Sequence, residues 1–316
     1  MIRDFETGQK FLDFFVLRKK EIKTKRDSDE IYLSLELGDA SGRISATVWD
    51  DVQKTFDSLV VAEVVKVKGK VINFKGQHHL TVEKIRIVSD ADDYDLTRLV
   101  PATEKDRDAL FLHLDELVES VKNPFYNRLL HLVFEDEEIR QAFGQAPAGK
   151  LWHHNYLGGL LEHTLSVTDI ADKAGQVYPN TNRDLLITGG LLHDIGKIHS
   201  YTYKTFFDYT DAGRLVGHIV IGAQLVAEKI KTIADFPKEL ETEVIHLILS
   251  HQGKLEQASP VVPMMFEAVI LYYADELDSK ANALLRIMKR EKQPEVKWSS
   301  FVRMLDRYIY FGHALE

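Results

Sequence analysis

The stretch from Gly189 to Lys197 reads GGLLHDIGK, and it decides how the second half of the chain is organised. Its apolar residues suit the end of a helix, where the adjacent His193 and Asp194 interrupt them. Adjacent side chains on a helix point about 100° apart, so these two reach one point only near a helix end or beside a cavity. Gly196 suits a helix stop in the left-handed conformation. A bound metal ion is a good reason for such a pattern.

Four further ligand-type residues interrupt or border apolar helical patterns in the same half of the chain. They are His163, His218, His251 and Asp275. An imidazole or carboxylate among buried apolar residues is costly unless it is paired or binds a metal. One histidine of this kind would be interpreted as a core or helix-end residue, whereas the whole set predicts a metal site.

These motifs resemble those of a known family. The order His163, His193-Asp194, His218, His251, Asp275 resembles the HD-domain phosphohydrolases, in the variant with two extra histidines. The words GGLLEHT at 158–164 and HDIGK at 193–197 look like those of the YhaM-type 3′→5′ exoribonucleases of Gram-positive bacteria. The resemblance implies an all-α HD-domain helical bundle that hydrolyses phosphodiester bonds.

The resemblance also implies two divalent ions that Asp194 bridges. The first ion would be held by His163, His193, Asp194 and Asp275, and the second by Asp194, His218 and His251. Nitrogen and oxygen ligands suit Mn²⁺, Fe²⁺, Co²⁺, Ni²⁺, Zn²⁺ or Mg²⁺. The histidines argue against a purely Mg²⁺ site, because Mg²⁺ prefers oxygen ligands, and Mn²⁺ is favoured.

Further residues in or near these motifs are candidates for contacting the substrate. Lys197 lies within the family motif and is expected to act with Asp194 in catalysis by neutralising charge on the phosphate. The alternative for Lys197 is an exposed lysine at a helix end. His154 is expected to contact the nucleic acid, and its neighbour His153 is either a phosphate contact or part of a surface loop.

The composition is that of a globular chain large enough for two domains. The 316 residues are 45% apolar and 28% charged, and no apolar run approaches the 18 residues of a membrane span. The chain has no cysteine, which excludes disulfides and thiolate metal sites. We expect a cytoplasmic protein that does not enter a membrane.

Charge divides the chain into two parts. Residues 1–86 carry 16 Lys and Arg against 14 Asp and Glu, whereas the remaining 230 residues carry 24 against 35. Such asymmetry suggests different tasks for the two parts, with bound cations offsetting some of the acidic excess.

The amino-terminal part has the alternating pattern of short strands. Ile31, Leu33, Leu35 and Leu37 alternate with polar residues, and further strands follow around 44–48, 64–72 and 80–87, with a short helix at 51–59. Five strands with a helix after the third predict an all-β OB-type barrel, and the segment Leu37–Trp49 resembles OB-fold nucleic-acid-binding modules. Such a barrel binds single strands on aromatic rings beside a basic groove. The candidates are Lys19, Lys23, Tyr32, Trp49, Lys66, Lys68, Phe74 and Lys75, although each taken alone could be core or a solvated surface.

The rest of the chain has helical patterns. A helix capped near Thr103 is followed by helices that start near residues 123 and 135, and the last helices are expected at 263–289 and 298–312. We therefore predict a multidomain protein with an OB-fold domain at 1–90, a helical linker region at 91–150 and an HD domain at 151–316.

Together the two parts predict a metal-dependent 3′→5′ exoribonuclease that releases nucleoside monophosphates from single-stranded RNA, with single-stranded DNA as a further substrate. The first alternative is an HD phosphohydrolase or phosphodiesterase of a small nucleotide. The second is a single-strand-binding protein whose HD domain is only structural. A homo-oligomer is also compatible with the sequence.

Overall fold

A computed structural model describes residues 1–25, 28–95, 98–150, 152–203, 205, 207–292 and 296–312. The chain divides into two compact units. The first comprises Met1–Ala102 with Thr202–Asp208, and the second comprises Thr103–Tyr201 with Tyr209–Glu316. The domain boundaries at residues 90 and 150 remain predictions.

The first unit is a closed barrel of five strands, which confirms the OB-type barrel expected from the sequence. The strands are β1 (Lys10–Thr24), β2 (Ile31–Asp39), β3 (Gly42–Val48), β4 (Val64–Phe74) and β5 (Gln77–Ile87), with helix α1 (Val52–Ser58) between β3 and β4. Their order around the barrel is β1-β2-β3-β5-β4, in which only β3 and β5 run parallel among these neighbours.

Alternation along the strands separates the core of the barrel from its outer face. Leu33, Leu35 and Leu37 of β2 are at most 3% exposed, because successive side chains of a strand point to opposite faces. Tyr32, Ser34 and Glu36, which alternate with these leucines, therefore point outward. Thr47 of β3 lies between the buried Ala46 and Val48 and is itself only 7% exposed.

A register shift in β1 turns its basic residues outward. The pairing with β2 shifts between Leu17 and Lys19. Phe15 and Leu17 are buried before the shift, and Ile22 packs against the core after it. Lys19 and Lys23 are consequently exposed on the outside of β1.

A second register shift lets β4 and β5 approach closely. It falls between Lys68 and Gly69 of β4. A Cβ atom on Gly69 would lie 2.3 Å from the carbonyl oxygen of Thr81, so only glycine fits here.

The second unit is helical. Its helices are α2 (Arg107–Ser120), α3 (Pro124–Phe134), α4 (Glu137–Gln145), α5 (Gly159–Val177), α6 (Arg183–Leu192), α7 (Lys197–Ser200), α8 (Asp211–Leu215), α9 (His218–Lys231), α10 (Lys238–Ser250) and α11 (Phe266–Glu291). Two short strands, β6 (Tyr201–Thr202) and β7 (Asp208–Tyr209), pair with each other between α7 and α8 in the sequence, where Thr202–Asp208 belongs to the first unit. Within the described residues, the structure contains no helix long and apolar enough to cross a membrane.

Side-chain caps fix where several helices begin. Asn123 and Asp136 each accept two backbone N–H groups of the following helix, at the starts of α3 and α4. Helix α2 begins after Asp106, whose carboxylate accepts the N–H of Asp108. The cap expected near Thr103 was therefore placed three residues too early.

The helix predicted at 298–312 is wrong. Trp298 pairs with Tyr310 and Val302 with Arg307 in antiparallel bridges, so this segment folds back on itself. Asp306 has a φ of 52°, a left-handed conformation that aspartate tolerates and that turns the chain. The aromatic and β-branched residues of the segment suit this extended pairing better than a helix.

Candidate functional site

The structure brings together the six predicted metal ligands, which we call the histidine–aspartate cluster. His163 lies on α5, His193 and Asp194 follow α6, His218 begins α9, His251 follows α10, and Asp275 lies on α11. Five segments that are far apart in the sequence thus contribute to one point in the second unit.

Asp194 lies at the centre of the cluster. Its Oδ2 atom is 3.3 Å from Nε2 of His163 and 3.4 Å from Nε2 of His193. Its Oδ1 atom is 3.3 Å from Nε2 of His218 and 3.5 Å from Nε2 of His251. Asp275 joins the first pair, with Oδ1 3.2 Å from Nε2 of His163. Each oxygen of Asp194 therefore faces its own pair of histidines.

Several of these atoms have no hydrogen-bond partner although they are buried. They are Nε2 of His163, His193 and His218, together with Oδ1 of Asp194. Burying polar atoms without partners is unfavourable, and a cation at the centre of the cluster would satisfy all of them. Ligands about 2.0–2.2 Å from an ion lie roughly 3–3.5 Å from one another, as these atoms do. The residues therefore fit a divalent metal.

The remaining ring nitrogens fix the orientation of the histidines. Nδ1 of His193 donates to the carbonyl oxygen of Gly190 at 2.8 Å, and Nδ1 of His251 donates to that of Ile248 at 2.7 Å. Because a carbonyl oxygen only accepts, Nδ1 carries the proton in both rings. In the neutral rings, Nε2 then carries the free electron pair through which a histidine binds a metal.

Gly196 holds the turn after Asp194 against the start of α9. Its φ is −64°, so the left-handed conformation expected from the sequence is wrong. A Cβ atom at this position would lie 2.0 Å from the carbonyl oxygen of His218. Glycine is needed here for the close approach that brings His218 to Asp194.

Lys197 is a buried partner of Asp194 and not an exposed helix-end lysine. It is 4% exposed, and its Nζ atom donates to Oδ2 of Asp194 at 2.5 Å. Burial alone would raise the pKa of Asp194, but Lys197 and His193 outweigh burial and hold that pKa well below its ordinary value. Asp194 is therefore ionised and able to bind a cation.

Carboxylates also set the charge of His163. Burial would lower the pKa of His163, but the neighbouring carboxylates of Asp194, Asp275 and Asp278 raise it well above 6.5. His218 faces only one carboxylate of the cluster, and burial lowers its pKa to about 3.

Asp278 is a functional residue that the sequence analysis missed. Its Oδ2 atom accepts hydrogen bonds from Nδ1 of His163 at 2.7 Å and from Nε2 of His154 at 2.9 Å. Burial opposes ionisation of Asp278, but these two histidines hold its pKa well below the ordinary value. Asp278 lies one helical turn after Asp275 on the same face of α11, and this spacing was a signal in the sequence.

The structure places His154 in the interior, which corrects the expectation of a nucleic-acid contact. It is 2% exposed, and its Nδ1 atom lies 2.8 Å from the hydroxyl of Tyr156. With Nε2 on Asp278, both ring nitrogens are used within the protein. His154 therefore acts on His163 through Asp278, which both rings contact.

The barrel carries an outer aromatic face, which we define by Tyr32, Trp49, Phe74 and His79. The rings of Tyr32 and Trp49 are 5.2 Å apart between centroids, and those of Phe74 and His79 are 5.8 Å apart. Thr47 of β3, two residues before Trp49, contacts the second pair, because its hydroxyl lies 2.8 Å from Nε2 of His79. His79 was not predicted as a site residue.

Basic residues border the outer aromatic face. Lys23 lies opposite Tyr32 in the β1–β2 pairing, and Lys75 approaches the ring of Phe74 at 5.5 Å. Lys19 is exposed on the same side of β1 and pairs with Glu21. Lys19, Lys23, Tyr32, Trp49, Phe74 and Lys75 therefore share the arrangement that single-strand binding requires.

Lys66 and Lys68 lie elsewhere on the barrel, beside Leu12 in a groove of about 470 Å³. Lys66 pairs with Asp92 at 2.9 Å, and Lys68 pairs with Glu83 at 3.4 Å. Arg86 also binds Asp92, so this acidic residue fixes the segment after β5. The predicted set of basic residues is thus divided between two surfaces.

Comparisons with known proteins agree with this architecture. Residues 160–280 match the family model of the HD domain, and residues 18–88 match that of the OB-fold nucleic acid binding domain. The chain thus carries an OB-fold domain followed by a helical HD domain. An HD domain together with this cluster indicates a metal-dependent phosphohydrolase, and the OB-fold domain indicates one that binds nucleic acid.

Solved structures similar to part of the chain include two OB-fold domains and a single-stranded DNA binding protein. The second OB-fold domain of replication protein A from Methanococcus maripaludis is 18% identical and covers 29% of this chain and 97% of its own, with a TM-score of 0.24. An OB domain from Thermoplasma acidophilum is 17% identical, with coverages of 30% and 90% and a TM-score of 0.25. A mitochondrial single-stranded DNA binding protein from S. cerevisiae is 15% identical, with coverages of 27% and 100% and a TM-score of 0.22.

Proposed function

We propose that this protein is a 3′→5′ exoribonuclease that hydrolyses single-stranded RNA, and also single-stranded DNA, to nucleoside monophosphates. The observation that carries the proposal is the position of Asp194, whose two oxygens each face a pair of histidine Nε2 atoms. This arrangement suits two divalent ions, for which Mn²⁺ is our choice. The polarity and the preference for RNA rest on the resemblance to the YhaM-type exoribonucleases.

Two such ions, when bound, supply an activated water and charge neutralisation for an in-line attack on phosphorus. His163, His193 and Asp275 would hold the first ion and His218 and His251 the second, with Asp194 shared between them. Asp278 keeps Nδ1 of His163 engaged, so that Nε2 points into the site. Lys197 offers a buried positive charge beside Asp194 that favours binding of an anionic phosphate.

The barrel would bind the strand while the helical domain removes its terminal nucleotide. The outer aromatic face offers rings on which bases stack, and Lys23 and Lys75 offer charges for the backbone. We further propose a cytoplasmic location and a homo-oligomeric assembly.

The decisive experiment follows the products from RNA labelled at its 5′ end. Purified protein is stripped of metal, supplied with Mn²⁺ and incubated with a single-stranded oligonucleotide. A ladder of shortening labelled products is the expected result, because removal from the 3′ end leaves the label on the remaining strand. Immediate release of a labelled mononucleotide would instead establish the opposite polarity.

The variant Asp194→Asn separates metal-dependent chemistry from contamination. We expect it to lose about a thousandfold in rate, because it removes the shared anionic ligand. Asp169→Asn, at an exposed carboxylate on α5, is the matched control and should retain full activity. Intact RNA in the presence of bound wild-type protein would contradict the proposal. Turnover of dinucleotides alone would favour a small-nucleotide phosphodiesterase, and binding without any turnover would favour a binding protein.

A further inference from the structure

His153 and His154 are adjacent, yet their surroundings are opposite. Both ring nitrogens of His154 have partners within the protein. Both ring nitrogens of His153 are buried, and among the residues that the structure describes neither has a hydrogen-bond partner. His154 has a φ of 41°, a left-handed conformation that accompanies this reversal between neighbours.

The ring of His153 lies directly beside the histidine–aspartate cluster. Its centroid is 4.9 Å from that of His163 and 6.1 Å from that of His154. The charges of Lys197 and Asp275 both act on it. His153 therefore borders the candidate metal site.

A residue in this position can contact a ligand that is bound at the histidine–aspartate cluster. In every protonation state an imidazole that is not bound to metal carries at least one N–H, and a buried N–H without an acceptor is unfavourable. A phosphate group offers several strong acceptor oxygens. It would also compensate the positive charge of Lys197, which acts on the same region.

We propose that His153 is a substrate-binding residue of this site and donates a hydrogen bond to a phosphate oxygen of the nucleotide. The inference rests on the proposed function in taking a nucleotide as the natural ligand, while the phosphate contact itself is independent of the polarity of digestion. The contact with nucleic acid that the sequence analysis assigned to His154 is thus assigned to its neighbour His153.

Binding of phosphate to the Mn²⁺-loaded full chain tests the proposal without requiring turnover. Inorganic phosphate and adenosine 5′-monophosphate are titrated calorimetrically into wild type, His153→Ala and His153→Gln. We expect His153→Ala to bind both about tenfold to a hundredfold more weakly, because it loses a hydrogen bond to a charged group. His153→Gln keeps an N–H donor and should recover most of the affinity. A loss for the nucleotide alone also supports the proposal and assigns the contact to the esterified phosphate.

The affinity for Mn²⁺ and the melting temperature distinguish this role from its alternatives. His153→Ala should match wild type in both, whereas His154→Ala should bind Mn²⁺ more weakly, because it removes a partner of Asp278. Unchanged affinity for both phosphate probes in His153→Ala would overturn the proposal. Loss of Mn²⁺ binding in that variant would also overturn it, because His153 would then be a metal ligand.

A replacement variant and two combined outcomes separate the contact of His153 from the proposed exoribonuclease activity. If His153→Ala does not fold, His153→Leu replaces it as the variant of similar size without a donor, and is compared with His153→Gln. If wild type binds phosphate through His153 but leaves RNA intact, the proposed exoribonuclease fails while this contact stands. If wild type degrades RNA and His153→Ala matches it in rate and phosphate affinity, only the present inference fails.

Discussion

In the helical unit, His163, His193 and Asp194 are at most 1% exposed, whereas on the barrel Trp49 is 45% exposed and Phe74 is 56% exposed. The interior site depends on polar atoms that the protein leaves without partners. The surface site depends on rings that water already covers. Replacing a residue of the interior site disturbs a network of charges. Replacing a ring of the surface site removes a single contact.

This difference predicts how sharply each site responds to mutation. Buried charges interact strongly and are not screened by salt, so one change affects every neighbour. Exposed rings and lysines act nearly independently, and salt screens the lysines. Large, coupled effects are therefore expected in the cluster and small, additive effects on the barrel.

In the cluster, Asp278→Asn is expected to weaken metal binding strongly. The substitution keeps the shape of the side chain but removes the charge that receives hydrogen bonds from His163 and His154. We expect the affinity for Mn²⁺ to fall about tenfold to a hundredfold, measured by calorimetric titration of the folded variant.

A matched control exists on the surface. Asp169 also contacts a histidine, with Oδ1 3.0 Å from Nε2 of His113, but both side chains are exposed. Asp169→Asn should leave the affinity for Mn²⁺ unchanged. Equal affinities in wild type and Asp278→Asn would show that the carboxylate does not support the metal site.

Burial also explains which site residues could be predicted from the sequence. The six cluster residues interrupt apolar helical patterns, so each was visible as a polar residue in the wrong place. Asp278 could not be recognised in this way, because α11 is amphipathic around it. The sequence of an amphipathic helix does not say which of its polar residues face inward. His153 and His154 were indistinguishable, because the left-handed turn that separates their environments depends on tertiary contacts such as that of the His154 N–H with Asn282.

The barrel was predictable for a different reason. Strict alternation in β2 and β3 specified the core, and the helix after the third strand specified the topology. The register shifts in β1 and β4 depend on how the barrel closes, so the sequence did not show that Lys66 and Lys68 lie on a different surface from Lys19 and Lys23. The prediction of a helix at 298–312 was wrong because pairing between the two ends of this segment outweighed its helical periodicity.

The next effect concerns the outer aromatic face. Trp49→Ala removes one stacking platform, and we expect the affinity for single-stranded RNA to fall about fivefold to a hundredfold, measured by fluorescence anisotropy. The affinity for Mn²⁺ and the hydrolysis of a dinucleotide should stay unchanged.

Trp298 provides the control for this variant. It is 56% exposed and packs on Tyr310 at 4.8 Å, much as Trp49 packs on Tyr32. Trp298→Ala should bind RNA like wild type. A similar loss in both variants would mean that exposed tryptophans contribute without specificity and that the barrel face is not the binding surface.

A smaller effect is expected from pH. In the metal-free protein the pKa of His163 is raised well above 6.5, so the ring is protonated near neutrality and must lose that proton to bind metal. The affinity for Mn²⁺ should therefore rise about tenfold per pH unit between pH 6 and 7. His218 contributes nothing to this slope, because its pKa of about 3 leaves it neutral throughout the range.

The raised pKa of His163 also determines how the stability of the metal-free protein changes with pH. A raised pKa in the folded state stabilises the metal-free protein below pH 6.5, and this contribution is lost as the pH rises through the raised value. Calorimetry in two buffers of different ionisation enthalpy measures the released proton, with about one expected. An affinity that does not change with pH would contradict the protonated state of His163.

The smallest effects separate the two groups of basic residues on the barrel. Lys75→Ala should weaken RNA binding a few-fold and reduce the slope of log affinity against log salt by about 0.7, as expected for one phosphate contact to a single strand. Lys66→Ala should leave that slope unchanged, because Lys66 already pairs with Asp92. The substitution should instead lower the stability of the barrel slightly, since Arg86 still holds Asp92. The reverse result, with Lys66 changing the slope and Lys75 not, would move the path of the nucleic acid from the outer aromatic face to the groove beside Leu12.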